Sequence, residues 1–176
     1  ELAVCWILEC LLKDDNYPSG LLQKLIREEP QLRLSETVLQ QAQQSGDFQP
    51  LVDGIPYANL IGLKFQRFGQ DVLFHLPANE DNIGNPILPA IHGGVIGGFM
   101  ELAASLHLMM TMDTAALPKM IDFSLDYLRA GRHQDTFAEC QVWRQGSRVA
   151  NVAITAWQTE RTSPIATARA HFLLAR

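Results

Sequence analysis

The chain has 176 residues, of which 47% are hydrophobic and 19% charged, and its formal net charge is −5. This length and balance are typical of one globular domain with a small appendage, and an acidic chain without a basic cluster is not expected to bind nucleic acid. The three cysteines and five histidines have no metal-ligand spacing, so no metal is expected, and a reducing cytoplasmic compartment is predicted. The apolar run at residues 2–8 is too short for a membrane span and lacks the basic flank of a signal peptide.

Residues 1–46 predict an N-terminal helical extension. The spacing of apolar residues places three short helices at 2–12, 21–29 and 36–44. We interpret this extension as a helical cover or a dimer-packing arm, and we assign residues 47–176 to the main domain.

The main domain predicts an α+β fold around one long apolar helix. A short helix within 47–63 precedes a hairpin of Lys64–Arg67 and Asp71–Leu76, and a long structured loop, Pro77–Pro89, follows. The apolar run Ala90–Met110 then predicts a buried helix, which a sheet must cover. Four strands joined in an antiparallel meander are predicted after it: Lys119–Leu128, Thr136–Arg144, Val149–Glu160 and Ile165–Ala175.

The start of this helix and its one charge form the candidate site. His92, Gly93 and Gly94 open the helix, and amides without a Cβ beside them can approach another molecule at the positive end of the helix dipole. Glu101 is the single charge between Gly93 and Leu106, and a buried carboxylate needs a partner, a proton or a task. Amide donors followed by a carboxylate two turns later suit a site for a polarised carbonyl.

These features together resemble the hotdog-fold acyl-CoA thioesterases of the phenylacetate-pathway (PaaI-like) type. The resemblance is carried by the histidine and two glycines, the acid nine positions after the histidine, the apolar helix, the later strands and the segment Asp126–Gly131. It covers about residues 50–176, and 1–46 lie outside it. It implies a hotdog fold, in which a long central helix is wrapped by an antiparallel sheet of five to six strands.

The resemblance also implies catalytic roles for individual residues. Gly93 matches the position whose N–H polarises the thioester carbonyl, and Glu101 matches the catalytic acid, acting as general base or as nucleophile. Ser105 matches a residue that orients the attacking water or the carboxylate. Many relatives have a second carbonyl donor, Asn or Gln, where this chain has Pro86, and the neighbouring Asn85 is the candidate for that role.

Further residues are candidates for capping or for binding coenzyme A. His92 is either a cap that orders the helix start or a catalytic group, and Gly94 allows close approach of the substrate. Arg129, Arg132 and Arg148 either meet the coenzyme A phosphates or are solvated strand ends. Beyond coenzyme A as part of the substrate, no cofactor is expected.

The helix also offers an apolar lining for the acyl group, and its second pair of glycines, Gly97 and Gly98, permits close approach of a neighbouring element or of the pantetheine arm. The lining candidates are Phe99, Met100, Leu102, Met109 and Met110.

The resemblance implies a site shared across a dimer interface, in a homodimer or a dimer of dimers. Two alternatives stay open at the level of sequence. One is an acyl-thioester hydratase or dehydratase, which would require His92 to be catalytic. The other is a non-catalytic acyl-CoA binding or sensing module, for which the departure at Pro86 is the motive.

Overall fold

The computed structural model describes residues 36–69, 71–112 and 117–174, and the predicted helices at 2–12 and 21–29 lie outside them. The helices are α1 (Glu36–Ser45), α2 (Gln49–Asp53), α3 (Pro56–Ile61) and α4 (Gly93–Thr111). The strands are β1 (Lys64–Phe68), β2 (Asp71–Leu76), β3 (Ile83–Asn85), β4 (Ala90–Ile91), β5 (Lys119–Tyr127), β6 (Thr136–Gln145), β7 (Val149–Trp157) and β8 (Ala166–Leu173).

Six strands form one antiparallel sheet in the order β1-β2-β6-β7-β8-β5, and the two short strands β3 and β4 pair separately. Helix α4 packs against this sheet. Every second residue of β7 is buried, as expected of a strand with one covered face. The predicted α+β hotdog architecture is confirmed, and so is the β1–β2 hairpin.

The predicted four-strand meander is wrong in one pairing. Strands β6, β7 and β8 do form a meander, but β5 pairs with β8 at the sheet edge, and β6 takes β2 as its other neighbour. The segment between β5 and β6 is not a tight turn. Its backbone pairs with the chain that leads into α4, because Gly131 accepts from Ile91 N–H at 2.8 Å and His133 N–H donates to Pro89 at 2.9 Å. Such a loop carries the chain across the sheet end.

The core lies between α4 and the sheet. Eleven of the nineteen residues of α4 are buried, so this helix, although long and apolar enough for a membrane span, is the core helix of the domain. Phe99 and Met100 are fully buried, and Met109 and Met110 are nearly so. Within the subunit these four predicted acyl-lining residues are therefore core packing residues, whereas Leu102 is partly exposed.

The predicted third helix of the extension is confirmed as α1. Leu39 and Ala42 are buried in the core, and the Gln43 side-chain amide donates to the carbonyls of Met109 and Met112 at 3.2 and 3.0 Å. This helix thus closes the far end of α4, while the domain boundary at residue 46 stays a prediction.

Helix α3 is short but firmly held. Pro56 occupies its first turn, where the missing N–H costs nothing, and Gly62 ends it at φ 78°, a left-handed conformation that favours glycine. The buried Asn82 side chain donates to the Ile61 carbonyl at 2.9 Å, and the Asn82 carbonyl accepts from His92 N–H at 2.8 Å. The loop before α4 is therefore structured, as predicted, and it ties α3 to the start of α4.

Candidate functional site

The start of α4 leaves one backbone donor open. The His92 ring caps the helix, since its Nδ1 accepts from Gly94 N–H at 3.0 Å, and the His92 carbonyl accepts from Val95 and Ile96 at 2.9 and 3.2 Å. Among the described residues, no group accepts from Gly93 N–H. The neutral His92 ring must carry its proton on Nε2 to accept at Nδ1. The helix start therefore presents Gly93 N–H at the positive end of the dipole.

Tyr127, at the end of β5, fixes this first peptide. Its hydroxyl donates to the Gly93 carbonyl at 2.6 Å, and a Cβ on Gly93 would lie 3.2 Å from the Tyr127 hydroxyl oxygen. Gly97 faces the same strand, because a Cβ there would lie 3.2 Å from Leu125 Cδ2. The glycines let β5 approach the helix closely, and the hydrogen bond sets the orientation of the Gly93–Gly94 peptide.

Glu101 lies two turns further along α4 and is half-buried. Burial raises the pKa of its carboxyl above the ordinary value, because the charged form loses water. Eight residues of helical rise separate it from Gly93 by about 12 Å along the helix axis. A carbonyl bound at Gly93 is therefore beyond the reach of the carboxylate of the same subunit.

Tyr57 of α3 is a site residue that sequence reasoning missed. Its ring lies against Gly98, where a Cβ would come within 2.4 Å of Tyr57 Cε1, and its hydroxyl is 3.4 Å from the Gly94 carbonyl. Burial and, second, the charge of Glu101 raise the pKa of the Tyr57 phenol. The signal in the sequence is Gly94 and Gly98, one turn apart on an otherwise apolar helix, which leave a groove for a side chain from elsewhere.

Asn85 belongs to a turn at the same end of the domain. Its side-chain oxygen accepts from the N–H groups of Ile87 and Leu88 at 3.0 and 3.2 Å, so Pro86 occupies the second position of an Asx-type turn. The side-chain NH₂ of Asn85 has no acceptor among the described residues. Its neighbour Gly84 contacts His92, because a Cβ on Gly84 would lie 2.5 Å from His92 Cδ2. The segment that leads into this turn thus packs against the His92 side chain that caps α4.

Ser105 bonds back to its own helix. Its hydroxyl donates to the Glu101 carbonyl oxygen at 3.0 Å, which is the local bond usual for serine inside helices, and not to the carboxylate. Among the described residues, no group of three His, Cys, Asp or Glu side chains could hold a metal ion.

The three candidate arginines lie at two different ends of the sheet. Arg129 donates to the Pro164 carbonyl at 2.8 Å, and the backbone of Arg132 is bound to the buried Gln158 side chain, directly after β7. Arg148 directly precedes β7 and lines an open pocket of about 390 Å³ with Arg144. The nine residues of β7 span about 30 Å. Within one subunit, Arg129 and Arg132 therefore lie at the same end of the sheet as Gly93, whereas Arg148 lies at the opposite end.

Residues 88–165 match the thioesterase superfamily, a segment that includes α4 and strands β5 to β7. No curated protein matches the chain.

Several solved structures are similar to this chain over most of its length. A protein from Chromobacterium violaceum is 44% identical, with 80% of this chain and 98% of that chain covered and a TM-score of 0.67. A phenylacetic acid degradation-related protein from Ralstonia eutropha, described as a candidate thioesterase, is 20% identical, with 72% and 98% covered and a TM-score of 0.61. A thioesterase from Haemophilus influenzae is 19% identical, with 66% and 80% covered and a TM-score of 0.60. These last two likenesses concern the fold alone.

Proposed function

Since this chain belongs to the thioesterase superfamily, we propose that it hydrolyses acyl-CoA thioesters at the start of α4. The observation that carries the proposal is the open Gly93 N–H, held in place by the His92 cap and the Tyr127 hydrogen bond. Water attack on a thioester places negative charge on the carbonyl oxygen, and a fixed amide at a helix start stabilises that charge by a few kcal/mol.

Glu101 is proposed to drive the attack. As a general base, it accepts a proton while the water oxygen bonds to the carbonyl carbon; the C–S bond then breaks, and the coenzyme A thiolate takes up a proton. As a nucleophile, it forms an anhydride with loss of the thiolate, and water then hydrolyses the anhydride. A raised pKa of the carboxyl suits the first role, since it makes the carboxylate a better base.

The site is proposed to need two subunits, in a homodimer or a dimer of dimers. The axial separation of about 12 Å between Gly93 and Glu101 is too large for both to act on one carbonyl from the same chain. Four apolar side chains near the start of α4 are exposed in the single subunit, which supports the proposal that a partner subunit covers this surface. They are Ile87, Leu88, Tyr127 and Leu128. We therefore propose that Glu101 acts on a thioester bound to the Gly93 of the facing subunit.

The remaining residues take supporting roles in this proposal. The free NH₂ of Asn85 is the second donor to the carbonyl, and Ser105 steadies the helix backbone at Glu101. Arg129 and Arg132 meet the phosphates of coenzyme A at the mouth of the site. Use of His92 Nδ1 in the helix cap weighs against a hydratase in which His92 is the base. We propose a cytoplasmic location and no cofactor beyond the coenzyme A of the substrate.

A thiol-release assay against a panel of acyl-CoAs tests the activity. Glu101→Gln should lower turnover at least 100-fold, the lower range for losing a general base, whereas Glu139→Gln on the outer face should match the wild type. Saturable binding of a CoA ester without turnover by the wild type would instead identify a binding module. Full activity in Glu101→Gln would remove Glu101 from the mechanism.

Gly93 offers a matched pair of substitutions. Proline is well tolerated at the first position of a helix, and the extended His92 backbone (φ −60°, ψ 132°) suits the residue before a proline, so Gly93→Pro removes the N–H with little backbone change. Gly93→Ala adds a Cβ but keeps the N–H. We expect turnover to fall about 100-fold in Gly93→Pro and far less in Gly93→Ala, and equal losses would contradict the oxyanion role.

Complementation tests the shared site. A heterodimer of one Gly93→Pro chain and one Glu101→Gln chain contains one site with both groups intact. Co-expressed, separately tagged chains purified through both tags should therefore regain close to half the wild-type activity. A heterodimer as inactive as either parent would place both groups in the same chain's site.

A further inference from the structure

A groove on one face of α4 is filled by a side chain from another element. Residues 94, 98, 101 and 105 are spaced by four, three and four positions and so share one helix face. The first two are glycines, and Tyr57 of α3 lies across them. A Cβ on Gly98 would lie 2.4 Å from Tyr57 Cε1 and 2.6 Å from its hydroxyl, so no larger residue fits while the ring stays in place.

The Tyr57 hydroxyl is only loosely held. Its distance of 3.4 Å from the Gly94 carbonyl is long for an O–H···O hydrogen bond, which is usually 2.5–3.0 Å. By contrast, Tyr127 makes a 2.6 Å bond to the neighbouring Gly93 carbonyl. Tyr127 thus fastens the helix start, whereas the Tyr57 ring is positioned by packing and its O–H remains available to a better acceptor.

The next polar side chain on this face of the helix is Glu101, about one turn beyond Gly98. Glu101 is close enough for its charge to raise the pKa of Tyr57, and both groups are half-buried. On the other described elements packed against α4, Tyr127 of β5 is bound to Gly93, and burial raises the pKa of the Cys140 thiol of β6. The buried faces of β2, β7 and β8 are apolar. Among the residues that the structure describes, Tyr57 is therefore the ionisable side chain placed to act on Glu101.

We propose that Tyr57 is a positioning residue for Glu101, covering the carboxylate from water with its ring and donating its O–H to it. This inference rests on the proposed function and deepens it. The residue lies outside the segment 88–165 that matches the superfamily, on a helix held by Pro56, Gly62 and the Asn82 hydrogen bond. The segment before the matched region thereby contributes to the environment of the reactive carboxylate.

The two functions of the phenol predict opposite shifts. Tyr57→Phe keeps the cover but removes the donor that stabilises the anion, so the pKa of Glu101 should rise. Tyr57→Ala also removes the donor, but it admits water to a carboxyl whose pKa is raised chiefly by burial, so the pKa of Glu101 should fall. Gly98→Ala displaces the ring without changing its chemistry and should also lower the pKa of Glu101.

Carbon NMR of protein labelled at the glutamate side chains measures these shifts directly, with Glu101→Gln to assign the signal and a melting curve to establish folding. Opposite shifts in Tyr57→Phe and Tyr57→Ala support the proposal, and unchanged titration in folded Tyr57→Phe and Gly98→Ala overturns it. The titration needs no substrate, so it tests Tyr57 even if the wild type hydrolyses no thioester, a result that would refute the proposed function alone.

With an active enzyme, the acidic limb of the kcat/KM profile should move as the NMR titration does. Tyr57→Phe should lower kcat about tenfold, as expected from losing one hydrogen bond to a charged group, with little change in KM. A change in KM alone, with the acidic limb unmoved, would overturn the positioning role and leave Tyr57 as a wall of the binding site.

Discussion

The two halves of α4 are built in opposite ways. In the first half, four of the first six residues are glycines, and tyrosines from α3 and β5 occupy the space that their missing side chains leave. In the second half, large apolar side chains such as Leu106 and Leu108 are fully buried in the core. The two hydroxyl side chains there bond to the backbone of the helix itself, as Thr111 does in donating to the His107 carbonyl at 2.7 Å.

This difference separates stability from chemistry within one helix. The far half, Leu102 to Thr111, gains free energy of folding from close packing of its large apolar side chains. The near half, Gly93 to Glu101, has glycines in place of large side chains over most of its first two turns, and it presents an open amide and a half-buried carboxylate. Substitutions in the far half should therefore change the free energy of unfolding, and those in the near half should change turnover.

Leu106→Ala should give the largest change in stability. Leu106 is fully buried, and leucine-to-alanine substitutions in such positions cost about 3 kcal/mol because a cavity remains. Leu173→Ala, on a side chain that is 44% exposed, is the matched control and should cost much less. Urea unfolding measures both. If the folded Leu106→Ala protein lost its kcat as well, the separation between the two halves would fail.

His107 should make the far half sensitive to acid. Burial lowers the pKa of its ring, and its Nδ1 has no partner among the described residues, so the folded protein holds the ring neutral. As pH falls below about 6.5, the unfolded chain takes up a proton that the folded one does not. Stability should then fall by up to about 1.4 kcal/mol per pH unit until the folded-state pKa is reached.

Removing the ring should remove that dependence. Urea unfolding between pH 7.5 and pH 5 should show a shallower loss of stability in His107→Leu than in the wild type. The exposed His133→Leu is the control and should follow the wild type. If the free energy of unfolding depended on pH equally in all three proteins, protonation of His107 would not destabilise the folded state.

Glu101→Gln should stabilise the near half by on the order of 1 kcal/mol, a usual gain when a costly active-site group is replaced. The raised pKa of Glu101 means that the folded protein loses stability as pH rises from the unfolded value of about 4.3 through the folded one. The gain in Tm should be present at pH 7 and should vanish near pH 3, where the Glu101 carboxyl is protonated in both the folded and the unfolded protein. Glu80→Gln, on an exposed side chain, should show no such gain.

Local patterns in the sequence determine much of this fold. The apolar run Ala90–Met110 predicts α4 to within three residues at either end, and the glycine turn at 69 predicts the β1–β2 hairpin. The partner of β5 could not be predicted, because strand order depends on contacts between distant segments. A loop that pairs with the chain before α4 looks, in sequence, like any polar connection.

The site divides along the same line. Gly93, His92 and Glu101 lie on one element, so their relation follows from helical geometry. Tyr57 lies more than forty residues before Glu101, and only the packing of α3 on Gly98 reveals it. Arg132 and Arg148 are separated by the length of β7, and the strand predicted at Val149–Glu160 already implies that separation.

The candidate arginines allow the same kind of comparison between the two ends of the sheet. Substituting them should change the KM for an acyl-CoA, and this is the smallest effect that we expect. Arg129→Ala and Arg132→Ala should each raise the KM for an acyl-CoA about two- to fivefold, the range for one exposed ion pair. Arg148→Ala should leave KM unchanged. With the matching acyl-pantetheine, which lacks the nucleotide phosphates, all three variants should match the wild type. An Arg148→Ala effect as large as the others would mean that the far end of a partner subunit reaches the substrate, because β7 alone holds Arg148 about 30 Å from Arg132.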